Sequence, residues 1–158
     1  MLPDFEAEMP TTRRLLERVP SEHGQWRPHE KSFPLGHLAQ LVALMPGWIG
    51  TTLTTTELDL ATGSGYTYEN TETLLSLFDQ NVASTREALA VATDAELDVQ
   101  WSLKMRGQVL ATLPRRVWIR QHLNHLIHHR GQLTVYLRLL DVPIPSIYGP
   151  TADEPWGS

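Results

Sequence analysis

Apolar residues recur every three or four positions through most of this chain, and where that spacing holds it predicts helices. Phe5, Met9, Thr12, Leu15, Leu16 and Val19 keep it over about Asp4 to Arg18, and Pro20 ends the run. A second helix opens at Ser32, read as its N-cap with Pro34 in the first turn, and carries Leu35, Leu38, Leu41, Val42, Met45, Trp48 and Ile49. Pro46 should kink or shorten it. The clearest amphipathic segment runs from about Thr71 to Ala92, with Leu74, Leu75, Phe78, Val82, Thr85 and Leu89 on one stripe. The last helix is expected from Pro114 through Leu140, with Ile119, Leu126, Leu133, Tyr136, Leu137 and Leu140 as its apolar positions.

The connections are unequal. Glu57 to Asn70 is polar and contains Gly63, Ser64 and Gly65, so it reads as a long loop able to make a crossover. After Asp94 the helical spacing weakens, and Trp101, Leu103 and Met105 alternate ahead of Arg106-Gly107, as in a short extended piece or hairpin. The segment Asp141 to Pro150 carries too many prolines to stay helical. With 158 residues, 41% of them hydrophobic, the chain suits one buried core: a single domain over 1–158 whose Pro-rich tail begins near 141.

Charge and composition exclude several classes. A net charge of −5 and a pI near 5.8 argue against a nucleic-acid binder, and Arg115-Arg116 is too small a basic cluster to reverse that. No apolar run approaches the roughly 20 residues of a membrane span, and the first residues lack a signal core, so no membrane association and a cytoplasmic location are expected. The absence of cysteine excludes disulfides, zinc-thiolate sites and a cysteine nucleophile, leaving histidines and carboxylates as metal ligands.

That sharpens interest in the run Gln121-His-Leu-Asn-His-Leu-Ile-His-His-Arg-Gly-Gln132. His125 and His129 are four apart, one turn of helix on the same face, where two imidazoles can converge on one ion. At about 100° per residue from His122, the apolar stripe spans roughly 320° to 60°, with His129 near ~340° and His125 near ~300°. Both point inward or along the edge. His128, near ~240°, reads as a surface or supporting residue. His122 lies on the stripe, but about 10 Å along the axis from His129, too far to share its ion; His122 with His125 is the less favoured pair. His37, alone on the second helix, completes a three-nitrogen site if the two helices pack side by side. Satisfied core histidines are the plainer alternative, because so short a motif recurs by chance.

His125-x-x-x-His129 followed by Arg130-Gly131-Gln132, the upstream His37, and the tail Val142-Pro-Ile-Pro-Ser-Ile-Tyr-Gly149 together resemble the DinB/YfiT-like metalloenzyme family. Trp26-Arg-Pro-His-Glu-Lys-Ser32 and Leu35-Gly-His-Leu-Ala39 extend the likeness over nearly the whole chain. The resemblance implies an all-α fold, a four-helix bundle with a long crossover connection between helices two and three, paired as a homodimer. It also implies one divalent metal held by His37, His125 and His129, zinc or nickel before iron or manganese, with water on the open positions.

Three neutral imidazoles leave such an ion its full charge and an open coordination position, which suits activation of a water, a thiol or a carbonyl. Relatives that look like thiol-dependent transferases point to a metal-dependent enzyme moving sulfur from a small-molecule thiol; other relatives resemble isomerases or hydrolases. The alternative is a non-catalytic module that binds metal or ligand in a stress response or as a dimeric scaffold. Asn124, His128 and Gln132 can orient the ligand imidazoles, and Arg130 can meet a substrate carboxylate or serve as a structural ion-pair partner. Trp48 and Tyr136 are candidate pocket walls or simply core. Glu6 and Glu8 are the carboxylates to weigh as a general base. Phosphate loops, the G-x-S-x-G elbow, H-E-x-x-H and paired Glu-x-x-His motifs are missing from the sequence.

Overall fold

The first helix of the computed structural model, α1 (Leu2–Leu16), buries Phe5, Met9, Thr12, Leu15 and Leu16, the residues whose spacing predicts it. The structure describes residues 1–63 and 65–155, so Ser64 of the expected loop and the last three residues of the Pro-rich tail lie outside the described residues. A single 3-10 turn (Ser21–His23) leads to α2 (Leu35–Thr54). Then come β1 (Glu57–Asp59), a second 3-10 turn (Leu60–Thr62) and α3 (Thr71–Val91). A short α4 (Asp94–Leu97) precedes β2 (Gln100–Met105), β3 (Gln108–Pro114) and α5 (Arg115–Leu139). α2 packs on α3 and α5, and α1 packs on the same two helices, with Leu38, Met45, Phe78, Leu126 and Leu133 in the core between them.

The fold is mixed helix and strand, and the expectation of an all-α four-helix bundle is corrected by a three-stranded sheet in the order β1-β2-β3. β2 and β3 form an antiparallel hairpin that turns at Arg106 (φ 50°) and Gly107 (φ 78°), the left-handed pair a tight hairpin turn requires. β1 joins β2 in parallel, Glu57 to Asp59 lying against Ser102 to Lys104. Three residues are too few to show an alternation, so β1 is invisible in a segment that otherwise reads as polar loop. The Asp59 carboxylate accepts from the backbone N–H groups of Ala61 (2.9 Å), Arg106 (2.9 Å) and Gly107 (2.6 Å), tying the strand to the hairpin turn. Those donors hold its carboxyl below the usual range. Trp101, 1% exposed, docks the sheet: its Nε1–H donates to Thr55 Oγ1 at the end of α2, and Trp118 of α5 donates to its carbonyl.

Two helix signals acted differently from expectation. Ser32 is not the N-cap of α2. Pro34 occupies that position, and the first two N–H groups of the helix reach the carbonyls of Trp26 and Gly24 at 2.8 and 2.9 Å, doing through backbone what a serine hydroxyl would have done. Pro46 does not shorten α2, which continues to Thr54. Around the break, Asn81 and Thr85 of α3 donate to the carbonyls of Ala43 (3.0 Å) and Pro46 (2.8 Å). Such close approach needs Gly47 and Gly50, where an added Cβ would lie 2.6 Å from Asn81 Oδ1 and 2.7 Å from Thr85 Oγ1.

Arg130 is 1% exposed, and the guanidinium is always charged, so the interior must supply its counter-charge. Glu8 of α1 does so at 2.6 Å. Thr12 Oγ1 (2.9 Å) and the Glu8 carbonyl (3.2 Å) accept two further bonds. Tyr148, in the irregular segment after α5, accepts from Arg130 at 2.7 Å and donates to Glu8 at 2.9 Å. Ion pairs of Arg14 with Glu154 and of Arg138 with Asp153 fasten the rest of that segment.

Removing Glu8 while Arg130 stays should leave a buried charge unpaired. Glu8→Ala is expected to cost roughly 3–5 kcal/mol in urea denaturation, and the double variant Glu8→Leu/Arg130→Met clearly less, because it removes the charge along with its partner. Equal losses in the two would show that packing, not charge pairing, sets the cost.

Candidate metal and ligand site

α5 presents Trp118, His122, His125 and His129 at spacings of four, three and four, a continuous stripe along one face. His125 and His129 meet at its C-terminal part, with 2.9 Å between their Nε2 atoms. The Gln132 amide oxygen lies 2.7 Å from His129 Nδ1. An amide oxygen only accepts, so Nδ1 carries the proton and His129 Nε2 presents its lone pair toward His125. Of the three side chains considered as orienting groups, Gln132 is therefore the one bonded to a ligand candidate. His128 is exposed and packs edge-on to the His129 ring at 5.0 Å, as its place off the stripe suggests.

His37 is elsewhere in this arrangement. Its ring is stacked between Phe33, centroids 4.3 Å apart, and Tyr66, at 3.8 Å. Among the described residues no three His, Asp or Glu side chains are gathered as a metal-holding group. Tyr66 nevertheless links the two places, since it also lines the cavity that His125 borders.

Burial lowers the pKa of His37, His125 and His129. The neighbouring His129 and His128 charges add to this at His125; at His129, the Gln132 bond opposes it. All three are thus neutral donors at neutral pH. Two imidazoles on one ion at about 2.0–2.1 Å each hold their nitrogens roughly 3 Å apart, so the His125–His129 pair, here joined by a hydrogen bond from His125 Nε2–H to His129 Nε2, has the spacing of two ligands of one ion once the His125 proton moves to its Nδ1.

Beside this pair lies a cavity of about 660 Å³ between α2, α5 and the sheet. Trp48 of α2, Trp101 of β2, and Trp118 and His122 of α5 form its walls together with Leu58 and Leu103. The Trp101 and Trp118 rings meet edge to face at 5.4 Å; Trp48 stands 5.8 Å from His122 and 5.9 Å from His125. Tyr136, the other aromatic considered as a wall, packs edge-on to Trp26 instead. His122 Nε2 is buried with no hydrogen-bond partner among the described residues, and burial, followed by the His125 charge, pushes its pKa down to about 4. The sequence offers His122 only as the less favoured metal partner of His125, and Trp101 only as part of an extended piece, neither as a cavity wall. The available signals were the shared face of Trp118, His122 and His125 and the alternation of Trp101 with Leu103.

Glu6 and Glu8, the carboxylates weighed as general bases, are spent in ion pairs with Arg86 and Arg130. Arg130 has the structural role among the two considered for it. No helix among the described residues is long and apolar enough to cross a membrane.

The DinB family profile matches residues 1–156. Among solved structures, the chain is similar to a DinB-like protein of Bacillus subtilis, with a TM-score of 0.72 and 19% identity over 92% of this chain and 96% of that one. A DinB-like protein of Bacillus cereus ATCC 10987 gives a TM-score of 0.72 and 20% identity, over 93% and 95%. A histidine-to-alanine mutant of a mycothiol-dependent maleylpyruvate isomerase gives a TM-score of 0.61 and 12% identity, over 84% of this chain and 58% of that one. No curated protein matches the chain.

His122 should make stability depend on pH. Its folded pKa is depressed from 6.5 to about 4, so the folded state binds fewer protons between these values, and its contribution is present above pH 6.5 and lost as pH falls toward 4. Comparing urea denaturation at pH 7.5 and pH 4, His122→Phe is expected to lose less stability than the wild type by roughly 3 kcal/mol. Parallel pH profiles for the two proteins would mean that His122 is not buried in neutral form.

Proposed function

Since the chain belongs to the DinB family, we propose that it is a divalent-metal-dependent enzyme that transfers sulfur from a small-molecule thiol, with His37, His125 and His129 as the metal ligands. The observation that carries this reading is the 2.9 Å approach of the two Nε2 atoms, one of them oriented by Gln132. A buried imidazole held in a chosen tautomer by a partner on its far nitrogen is the usual support of a metal ligand. His37, a neutral imidazole stacked on Tyr66 at the cavity edge, would serve as the third donor by leaving that stack. Zinc and nickel suit such a set, followed by iron and manganese.

A divalent ion held by these histidines would lower the pKa of a thiol and so supply a sulfur nucleophile at neutral pH. In such a transfer the thiol would lose its proton to solvent, its sulfur would bond an electrophilic carbon, and the leaving group would depart with its bonding pair. Burial keeps the imidazoles unprotonated, the Gln132 amide fixes His129, and the tryptophan and leucine walls exclude water from the reacting carbon. Thiol dependence in a structural neighbour, the mycothiol-dependent isomerase, supports the choice of thiol as an analogy of fold. A homodimer is part of the same proposal, by family membership.

One observation favours the non-catalytic alternative, a metal- or ligand-binding module: Glu6 and Glu8 are bonded to arginines, so neither serves as a general base. Elemental analysis separates the readings. Purified untagged wild type is expected to hold close to one equivalent of metal, His125→Ala and His129→Ala to lose it while keeping their circular dichroism, and Gln132→Ala to bind it about 10–100-fold more weakly. Thiol conjugation to electrophiles should then require metal. A wild type that is metal-free and takes up neither Zn²⁺ nor Ni²⁺ would end the enzyme reading.

A further inference from the structure

The cavity between the sheet and α5 has walls unlike those of a site for a charged metabolite. No lysine or arginine is among the described residues lining it. Its one formally charged side chain, Asp59, already accepts three backbone hydrogen bonds. The indole N–H groups of Trp101 and Trp118 are committed to Thr55 and to the Trp101 carbonyl, so these two rings offer only their apolar faces and edges. Of the buried polar atoms left without a partner among the described residues, only His122 Nε2 belongs to the cavity wall. An anion would shed its water here with no cationic side chain among the described lining residues to replace it, and a cation would find only Asp59, whose oxygens already accept three backbone N–H groups, so either costs more than burying one neutral polar group.

From this we infer that the cavity binds an uncharged, planar, largely apolar molecule of one or two fused rings, packed against the walls formed by Trp48, Trp101 and Trp118, with a single polar group that bonds His122. A volume of about 660 Å³ accommodates a molecule of that size. The inference deepens the transferase reading by giving the class of its electrophile, and it rests on that reading for the electrophile's role alone. Binding itself depends on walls that contain none of the metal's defining geometry except the edge of His125. His122 is here a ligand-binding residue, and its position between Trp118 and His125 along α5 sets the polar group of the guest toward the metal end of the cavity.

The test is tryptophan-fluorescence titration with 2-naphthol, 2-naphthoate and 2-naphthylmethylammonium, on chelator-treated and on metal-loaded protein. Naphthol is expected to bind at one site in both preparations and, in the chelator-treated protein, at least tenfold tighter than either charged analogue. His122→Phe, which keeps a ring and removes the nitrogens, should weaken naphthol about tenfold and leave naphthalene unchanged. Leu103→Trp, which fills the cavity with another apolar side chain, should abolish saturable binding of both. Equal or tighter binding of a charged analogue by the chelator-treated protein, no saturable binding of naphthol, or affinity unaltered by Leu103→Trp would overturn the inference. Because the metal-free protein is included, failure of the metal reading leaves this result intact, and naphthol binding without metal uptake would assign the cavity to a non-catalytic module.

Discussion

Arg130 brings a permanent charge into the core one residue beyond His129, and the ways in which that charge is met hold α1, α5 and the C-terminal segment in one arrangement. Glu8 supplies the counter-charge, Thr12 and a backbone carbonyl take further donors, and Tyr148 closes the network. A buried guanidinium has a directional set of donors, so it resists sliding of one helix along another better than aliphatic contacts do. The orientation of α5 about its own axis follows from it. With Arg130 turned toward α1, the stripe carrying His125, His122 and Trp118 is turned toward α2 and the sheet.

The sheet completes what the helices begin. Trp101 is anchored to the end of α2 through Thr55 and to α5 through Trp118, so β2 stands as a wall at a set distance from the histidine stripe. β1 and the Asp59 carboxylate brace that wall from the far side of the hairpin. The site thus has two parts of different chemistry: a pair of imidazoles with converging nitrogens, and an aromatic-walled, largely apolar cavity that opens to solvent past Leu60 and Tyr66. At its buried wall a polar contact counts for more than it would at the surface, which is why a His122 nitrogen without a partner among the described residues is informative.

How far the sequence could be read depended on the range of the interactions involved. Phe5, Met9, Leu15 and Leu16 place α1, and Leu74, Phe78, Val82 and Leu89 place α3, because a stripe repeated over four turns encodes its own period. The i, i+4 relation of His125 and His129 is likewise local. Ser32 misled because the donors at the start of α2 are satisfied by carbonyls of Trp26 and Gly24, which only the path of the preceding chain brings there. Pro46 did not shorten α2, and the side chains that bond the carbonyls of Ala43 and Pro46, Asn81 and Thr85, come from another helix. β1 carries no period in three residues.

Local pattern in the sequence was therefore enough to determine the four long helices, the irregular tail and the histidine pair, since each rests on contacts within a few turns of one chain segment. Only the tertiary structure decided that β1 joins the hairpin after Asp94 in a mixed sheet, that Arg130 is the partner of Glu8, and that tryptophans from α2, β2 and α5 line a cavity beside His122. Those features join residues dozens of positions apart, and such pairings come from packing geometry, to which no periodicity along the chain corresponds.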